Sequence, residues 1–138
     1  MKLLFELSKE HQTLPSAEVL ASLEAEHIAY RSVISNEDIV IADIKPNNAA
    51  VKRLAERLAF TFIVDELLFS CPATLNEIVQ NAKQHPLRQE GSIAIRCKNR
   101  SATMDSDELI DRLGDVYTKN RAVNLTAPDI ELHAVSST

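Results

Sequence analysis

The sequence predicts an α+β chain: a ferredoxin-like βαββαβ domain over 1–70, followed by a second α/β domain over 71–138. Three observations predict it. Short β-branched runs alternate with amphipathic stretches in β-α-β-β-α-β order up to about residue 70, the pattern in which two helices cover one face of a four-stranded antiparallel sheet. Pro72 then interrupts regular pairing. Beyond it, capped helix starts flank a cleanly alternating strand. A chain of 138 residues with 45% apolar residues can bury a core, and only 2 Gly and 5 Pro leave little material for a long linker.

Lys2 to Leu7 reads as the first strand. Pro15 sits where a first-turn proline belongs, ahead of Ala17, Val19, Leu20 and Leu23 as a helical apolar stripe. Tyr30 to Ile34 and Ile39 to Ile44 are β-branched runs around the polar turn Ser35-Asn36-Glu37-Asp38, an antiparallel pair. Asn47 or Asn48 caps a helix with Ala50, Val51, Leu54 and Leu58 on one face, and Phe60 to Val64 supplies the fourth strand. In the second part, Thr74-Leu75-Asn76-Glu77 has the form of a capping box, which predicts a helix to about Gln84. Ser92 to Arg100 alternates, with Ile93, Ile95 and Cys97 on one side and Arg96, Lys98 and Arg100 on the other. Asp105 and Glu108 open another helix with the stripe Leu109, Ile110, Leu113, Val116 and Tyr117, beside which Gly114 suits close packing. Ala122 to Leu125 and Ile130 to Val135 are two further β-rich runs around Thr126-Ala127-Pro128-Asp129.

Several function classes fall away. Two glycines build neither a phosphate loop nor a dinucleotide fingerprint, and no nucleophile elbow or zinc-binding helix motif is present. His11, His27, His85 and His133 are scattered singly, so no metal site is expected. Cys71 and Cys97 are expected to be unpaired thiols, because no export signal precedes them. The apolar run at the start is too short for a signal core or a membrane span, which predicts a cytoplasmic protein without membrane contact. The acidic cluster Asp105, Asp107, Glu108 and Asp111 reads as the complement of a helix N-terminus.

The net charge of −5 argues against a domain that attracts phosphate by its total charge. Its distribution is more informative: from Asn81 to Arg100 the chain carries Lys83, Arg88, Arg96, Lys98 and Arg100 against Glu90 alone. Three cations on alternate strand positions lie about 7 Å apart, near the phosphate spacing of a nucleic-acid backbone, and are expected to point to solvent together. The same row also fits a solvated strand face whose cations pair with Glu90 or the helix acids.

The basic stretch Gly91 to Arg100, the Leu/Ile helix with Gly114, and above all Val123-Asn124-Leu125-Thr126-Ala127-Pro128-Asp129-Ile130-Glu131-Leu132 resemble a THUMP domain, a family found in tRNA-modifying enzymes. Upstream, Leu3-Leu4-Phe5-Glu6-Leu7 with His11, Pro15, Glu18 and Leu23, and Leu58-Ala59-Phe60-Thr61, resemble the ferredoxin-like domain that precedes THUMP in archaeal-type tRNA guanine-N2 methyltransferases. The resemblance implies tRNA as partner, held by its single-stranded acceptor end. Carried over residue by residue, it implies contacts from Arg96, Lys98 and Arg100, from Arg121 and Asn124 at the entrance to the second motif, and more weakly from Lys119. Family members continue into a methyltransferase domain with an Asn/Asp-Pro-Pro-Tyr motif that these residues do not contain. S-adenosylmethionine and catalysis are therefore expected of that domain in cis, with no cofactor or catalytic residue here, and the THUMP strands expected after Val135 make the domain read as C-terminally truncated. Aromatic residues for base stacking are few, and Tyr117 reads as a core residue. Two other classes share the βαββαβ order: a small-molecule-sensing or oligomerising regulatory module, and an acylphosphatase-type enzyme, whose phosphate loop Lys9, Glu10 and His11 do not provide.

Overall fold

The computed structural model describes residues 1–100 and 102–137, and for Ser32 and Val33 the backbone alone. It is an α+β structure that divides into two compact units, Met1–Leu68 and Phe69–Thr138.

The first unit runs β1 (Lys2–Leu7), α1 (Leu14–Ala25), β2 (Tyr30–Ser35), β3 (Ile39–Ile44), α2 (Asn48–Arg57) and β4 (Thr61–Glu66). Its four strands form one antiparallel sheet in the order β2-β3-β1-β4, the ferredoxin-like arrangement expected from the element order. Alternation sends Leu3, Phe5 and Leu7 of β1 and Val40, Ala42 and Ile44 of β3 to the helix-covered face, where they meet Val19, Leu23 and Leu54. Polar residues close the corners. Asn36 Oδ1 accepts from the backbone N–H of Asp38 and Ile39 at 2.8 and 2.9 Å and so tightens the β2–β3 turn, while Asn47 caps α2 through Ala50 N–H. The motif residues His11 and Glu18 have local structural work. His11 Nδ1 accepts from Thr13 and Leu14 N–H at the start of α1, and Glu18 Oε1 accepts from Ala59 and Phe60 N–H at 2.9 and 3.0 Å, which fixes the entry to β4.

The second unit runs α3 (Leu75–Gln84), β5 (Ile93–Asn99), α4 (Ser106–Tyr117) and β6 (Ile130–Ser136). β5 and β6 pair in parallel, Ile93 opposite Ile130 through Asn99 opposite Ser136, an orientation that requires a crossover such as α4. α4 packs on β5 and α3 packs on α4. Among the described residues, Ile93, Ala94, Ala82, Leu109, Leu113 and Tyr117 are the buried apolar residues of this unit.

Three local expectations are corrected. Thr74 makes no side-chain cap on α3; its own N–H donates to Pro72 O at 2.9 Å, which leaves the returning Glu77 of a capping box without a donor. The 122–125 run shrinks to one parallel bridge, Val123 with Ile93, because Asn124 turns the chain away directly after it. Gly114 is not a close-packing glycine, since an added Cβ would meet nothing within 4 Å. Cys71 and Cys97 are free thiols, as expected, and burial followed by the charge of Glu77 pushes the Cys71 thiol up.

Candidate nucleic-acid interface

β5 lies between Val123 on one side and β6 on the other. The start of the strand is locked by Gly91, Ser92 and Asp129. Gly91 adopts φ +124°, a conformation that side chains rarely accept, and a Cβ there would come within 2.7 Å of Asp129 Cβ. That close approach lets the Asp129 carboxylate accept from both Ser92 N–H at 2.9 Å and Ser92 Oγ–H at 3.1 Å, while Asp129 N–H donates back to Ser92 Oγ at 3.0 Å. The bond from the Ser92 backbone, then that from its hydroxyl, holds the Asp129 carboxyl below its ordinary range.

Asn124 folds the intervening loop. Its Oδ1 accepts from Thr126 and Ala127 N–H, its Nδ2 donates to Ala127 O, all at 3.1 Å, and its backbone N–H donates to Ile93 O. Much of the Val-Asn-Leu-x-x-Pro-Asp-Ile-Glu-Leu motif therefore serves to join the loop and β6 to β5. Val123 and Leu125 are left exposed at its edge, 60% and 65%.

Alternation does place Arg96 and Lys98 on one phase of β5, with Arg100 following the strand on that phase, but the expected freely solvated row is not what forms. All three are half-buried. The reason is the parallel partner. β6 sets Glu131, His133 and Val135 opposite Ala94, Arg96 and Lys98, hence on the same face. Arg96 Nε donates to Glu131 Oε1 at 2.8 Å and its Nη2 donates to Leu125 O at 3.0 Å. His133 Nε2 lies 2.9 Å from the same Glu131 oxygen. The His133 contact first, and Arg96 with it, hold the Glu131 carboxyl below its usual range against the opposing effect of burial.

Lys119 and Arg121 stand elsewhere, beyond the C-terminus of α4. Lys119 is exposed, and Arg121 Nη2 donates to Leu87 O at 3.1 Å. Tyr117 is a core residue: it is 4% exposed, its hydroxyl lies 3.1 Å from Ala82 O and 2.9 Å from His85 O, and burial pushes its phenol up to about 12. The six residues singled out from the sequence thus divide into a strand set, a turn asparagine and a helix-end set. Glu131 and His133 were missed. Their shared phase within 130–135 was readable, but their apposition to Arg96 depends on a parallel register that no local pattern encodes. Among the described residues no group of His, Cys, Asp and Glu is placed to hold a metal ion, and no helix is long and apolar enough to cross a membrane.

No curated protein sequence matches the chain. Among solved structures, PH1313 from Pyrococcus horikoshii Ot3 is similar to it in fold, with TM-score 0.66 at 17% identity over 100% of this chain and 52% of that one. The chain spans about half the length of that protein. Residues 72–135, from just before α3 to within one residue of the end of β6, match the family model described as THUMP domain.

Proposed function

We propose that this chain is the tRNA-recognition region of an S-adenosylmethionine-dependent tRNA guanine-N2 methyltransferase, holding the acceptor end so that a distant guanine reaches a catalytic domain outside these 138 residues. THUMP domains bind RNA, and the match of residues 72–135 to that family is the observation that carries the reading. In it, the cations and the turn asparagine of the second unit, Arg96, Lys98, Arg100, Lys119, Arg121 and Asn124, contact the nucleic acid, while the methyl donor and the transfer step belong to the other domain. Because the chain is acidic overall, −5, attraction comes from the local arrangement of cations, so binding is weak and strongly salt-dependent.

Titration of labelled tRNA, intact and lacking its 3′ single-stranded nucleotides, at about 50 and about 200 mM salt tests this. Affinity that falls with salt and with removal of the 3′ end is expected. Equal affinity for both tRNAs removes acceptor-end recognition from the reading, and absence of tRNA binding at the lower salt removes tRNA recognition itself.

A further inference from the structure

The strand face and the helical side of the second unit hold their cations differently. Arg96 is already engaged by Glu131 and by Leu125 O. On the helical side, the end of α3, the loop after it and the second half of α4 enclose an open concavity of about 780 Å³. Four cations, Lys83, Arg112, Lys119 and Arg121, line it against the single carboxylate Asp115. Lys83, Arg112 and Lys119 are exposed, and none of the four takes part in an ion pair with another described residue. Arg112 and Asp115 are one helical turn apart, a spacing that permits pairing, yet no bond joins them.

Arg121 is held differently. Its Nη2 donates to Leu87 O, which anchors the guanidinium in the wall, while its Nη1 is buried and finds no hydrogen-bond partner among the described residues. An unsatisfied buried donor beside three unpaired exposed cations is the arrangement an oxyanion completes. The concavity is also built on fixed parts: Tyr117 ties the end of α4 to the carbonyls of Ala82 and His85 at the end of α3, so the two walls keep their separation.

We propose that this helix-side concavity is a phosphate-binding site for the RNA backbone, distinct from the β5–β6 face, and that it supplies the larger share of the chain's electrostatic attraction to RNA. The proposal rests on the RNA-binding reading above and assigns it a surface. Cations at the ends of helices also complement the helix dipole. That role accounts for Lys83 in the last turn of α3 but not for Arg112 in the interior of α4 or for Arg121 beyond it. The walls contribute Val79, Leu87 and Val116 but no exposed aromatic ring, so the site tracks phosphates and does not stack bases, and its contribution is insensitive to sequence.

The test compares the wild-type chain with K83A/R112A/K119A and with R96A/K98A/R100A, using labelled tRNA titrated over a series of salt concentrations. Arg121 is kept, because its bond to Leu87 O is structural, and circular dichroism and thermal melting of each variant establish that it folds. The helix-side triple variant is expected to lose on the order of tenfold in affinity at low salt and to lower the magnitude of the salt slope by about 2, the strand variant by less. A helix-side variant that is folded and binds like wild type overturns the proposal while leaving RNA binding intact. Loss in the strand variant exceeding that in the helix-side variant also overturns it. If wild type itself binds no tRNA, both the proposal and the reading beneath it fail. A strong competitor effect of an acidic peptide over tRNA at equal charge would instead assign the concavity to a protein partner.

Discussion

The two sides of the second unit treat their cations in opposite ways. On the β5–β6 face, Arg96 shares a carboxylate with His133 and donates to a backbone carbonyl; on the helical side, Lys83, Arg112 and Lys119 have no acid bonded to them among the described residues. A basic strand pattern in sequence measures charge per residue, whereas affinity for phosphate depends on charge left over after internal pairing. A cation that already satisfies an acid has much of its charge neutralised and fewer donors left for a phosphate.

The largest expected effect breaks the strand side alone. Gly91→Ala forces a Cβ into the Asp129 side chain at 2.7 Å and into backbone at φ +124°, and is expected to destabilise the protein by about 1–3 kcal/mol. Denaturant unfolding measures it, and a loss under about 0.5 kcal/mol, the ordinary surface range, would mean the Gly91–Ser92–Asp129 lock does not organise β5.

Next comes the helical side. Tyr117→Phe removes the hydroxyl that lies on Ala82 O and His85 O, at a cost of about 1–2 kcal/mol. It also gives a signature in pH. The Tyr117 phenol is raised from 10.0 to about 12 by burial, so the native state favours the neutral form, and the associated stability is fully present below pH 10 and lost as pH rises through 12. Alkaline spectrophotometric titration of wild type is expected to show a late-ionising phenol that is missing in Tyr117→Phe. If both proteins titrate identically, the tie between α3 and α4 is wrong, and with it the fixed width of the concavity.

A smaller change, of opposite sign, is expected at Gly114. Gly114 lies inside α4 with open space where a Cβ would project. Gly114→Ala is expected to stabilise by about 0.5–1 kcal/mol through backbone entropy and helix propensity, and a measured destabilisation would reveal a close approach that the structure does not contain.

How far the sequence carries depends on whether a feature is local. Pro15 at the start of α1, Asn47 capping α2, Asp105 accepting from Glu108 N–H at the start of α4 and the alternation of 93–99 act within a few residues of themselves, and the structure has them where the pattern predicts. What depended on a partner outside the local pattern, near or far along the chain, was not readable. Thr74-Leu75-Asn76-Glu77 satisfies the capping pattern, yet Pro72 O takes the donor. Arg96 alternates as a solvated cation does, yet β6 brings Glu131 to it across 35 residues. Lys83 and Arg112 sit on different helices, and only the packing of α3 on α4 gathers them with Lys119 and Arg121. The charge was visible in the sequence; its neutralisation was not.

The smallest expected effect on tRNA binding comes from the first unit and serves as the outside reference for the cations of the second. Arg53 and Arg57 lie one turn apart on α2, and both reach Glu26, at 3.4 and 3.1 Å. Both arginine side chains are about half exposed, 56% and 45%, and Glu26 is 21% exposed, so solvent screens the pairs and each is worth about 0–1 kcal/mol. R53A/R57A should therefore lower stability by no more than about 1–2 kcal/mol, less at high salt. Its effect on tRNA is the sharper reading. The double variant removes two positive charges, nearly as many as the helix-side triple, so any mechanism governed by net charge predicts a comparable loss of affinity. If affinity follows unpaired cations gathered on one surface, R53A/R57A leaves the salt slope of tRNA binding unchanged while K83A/R112A/K119A lowers it. Equal slopes in the two variants would show that total charge, and not the helix-side concavity, sets the attraction.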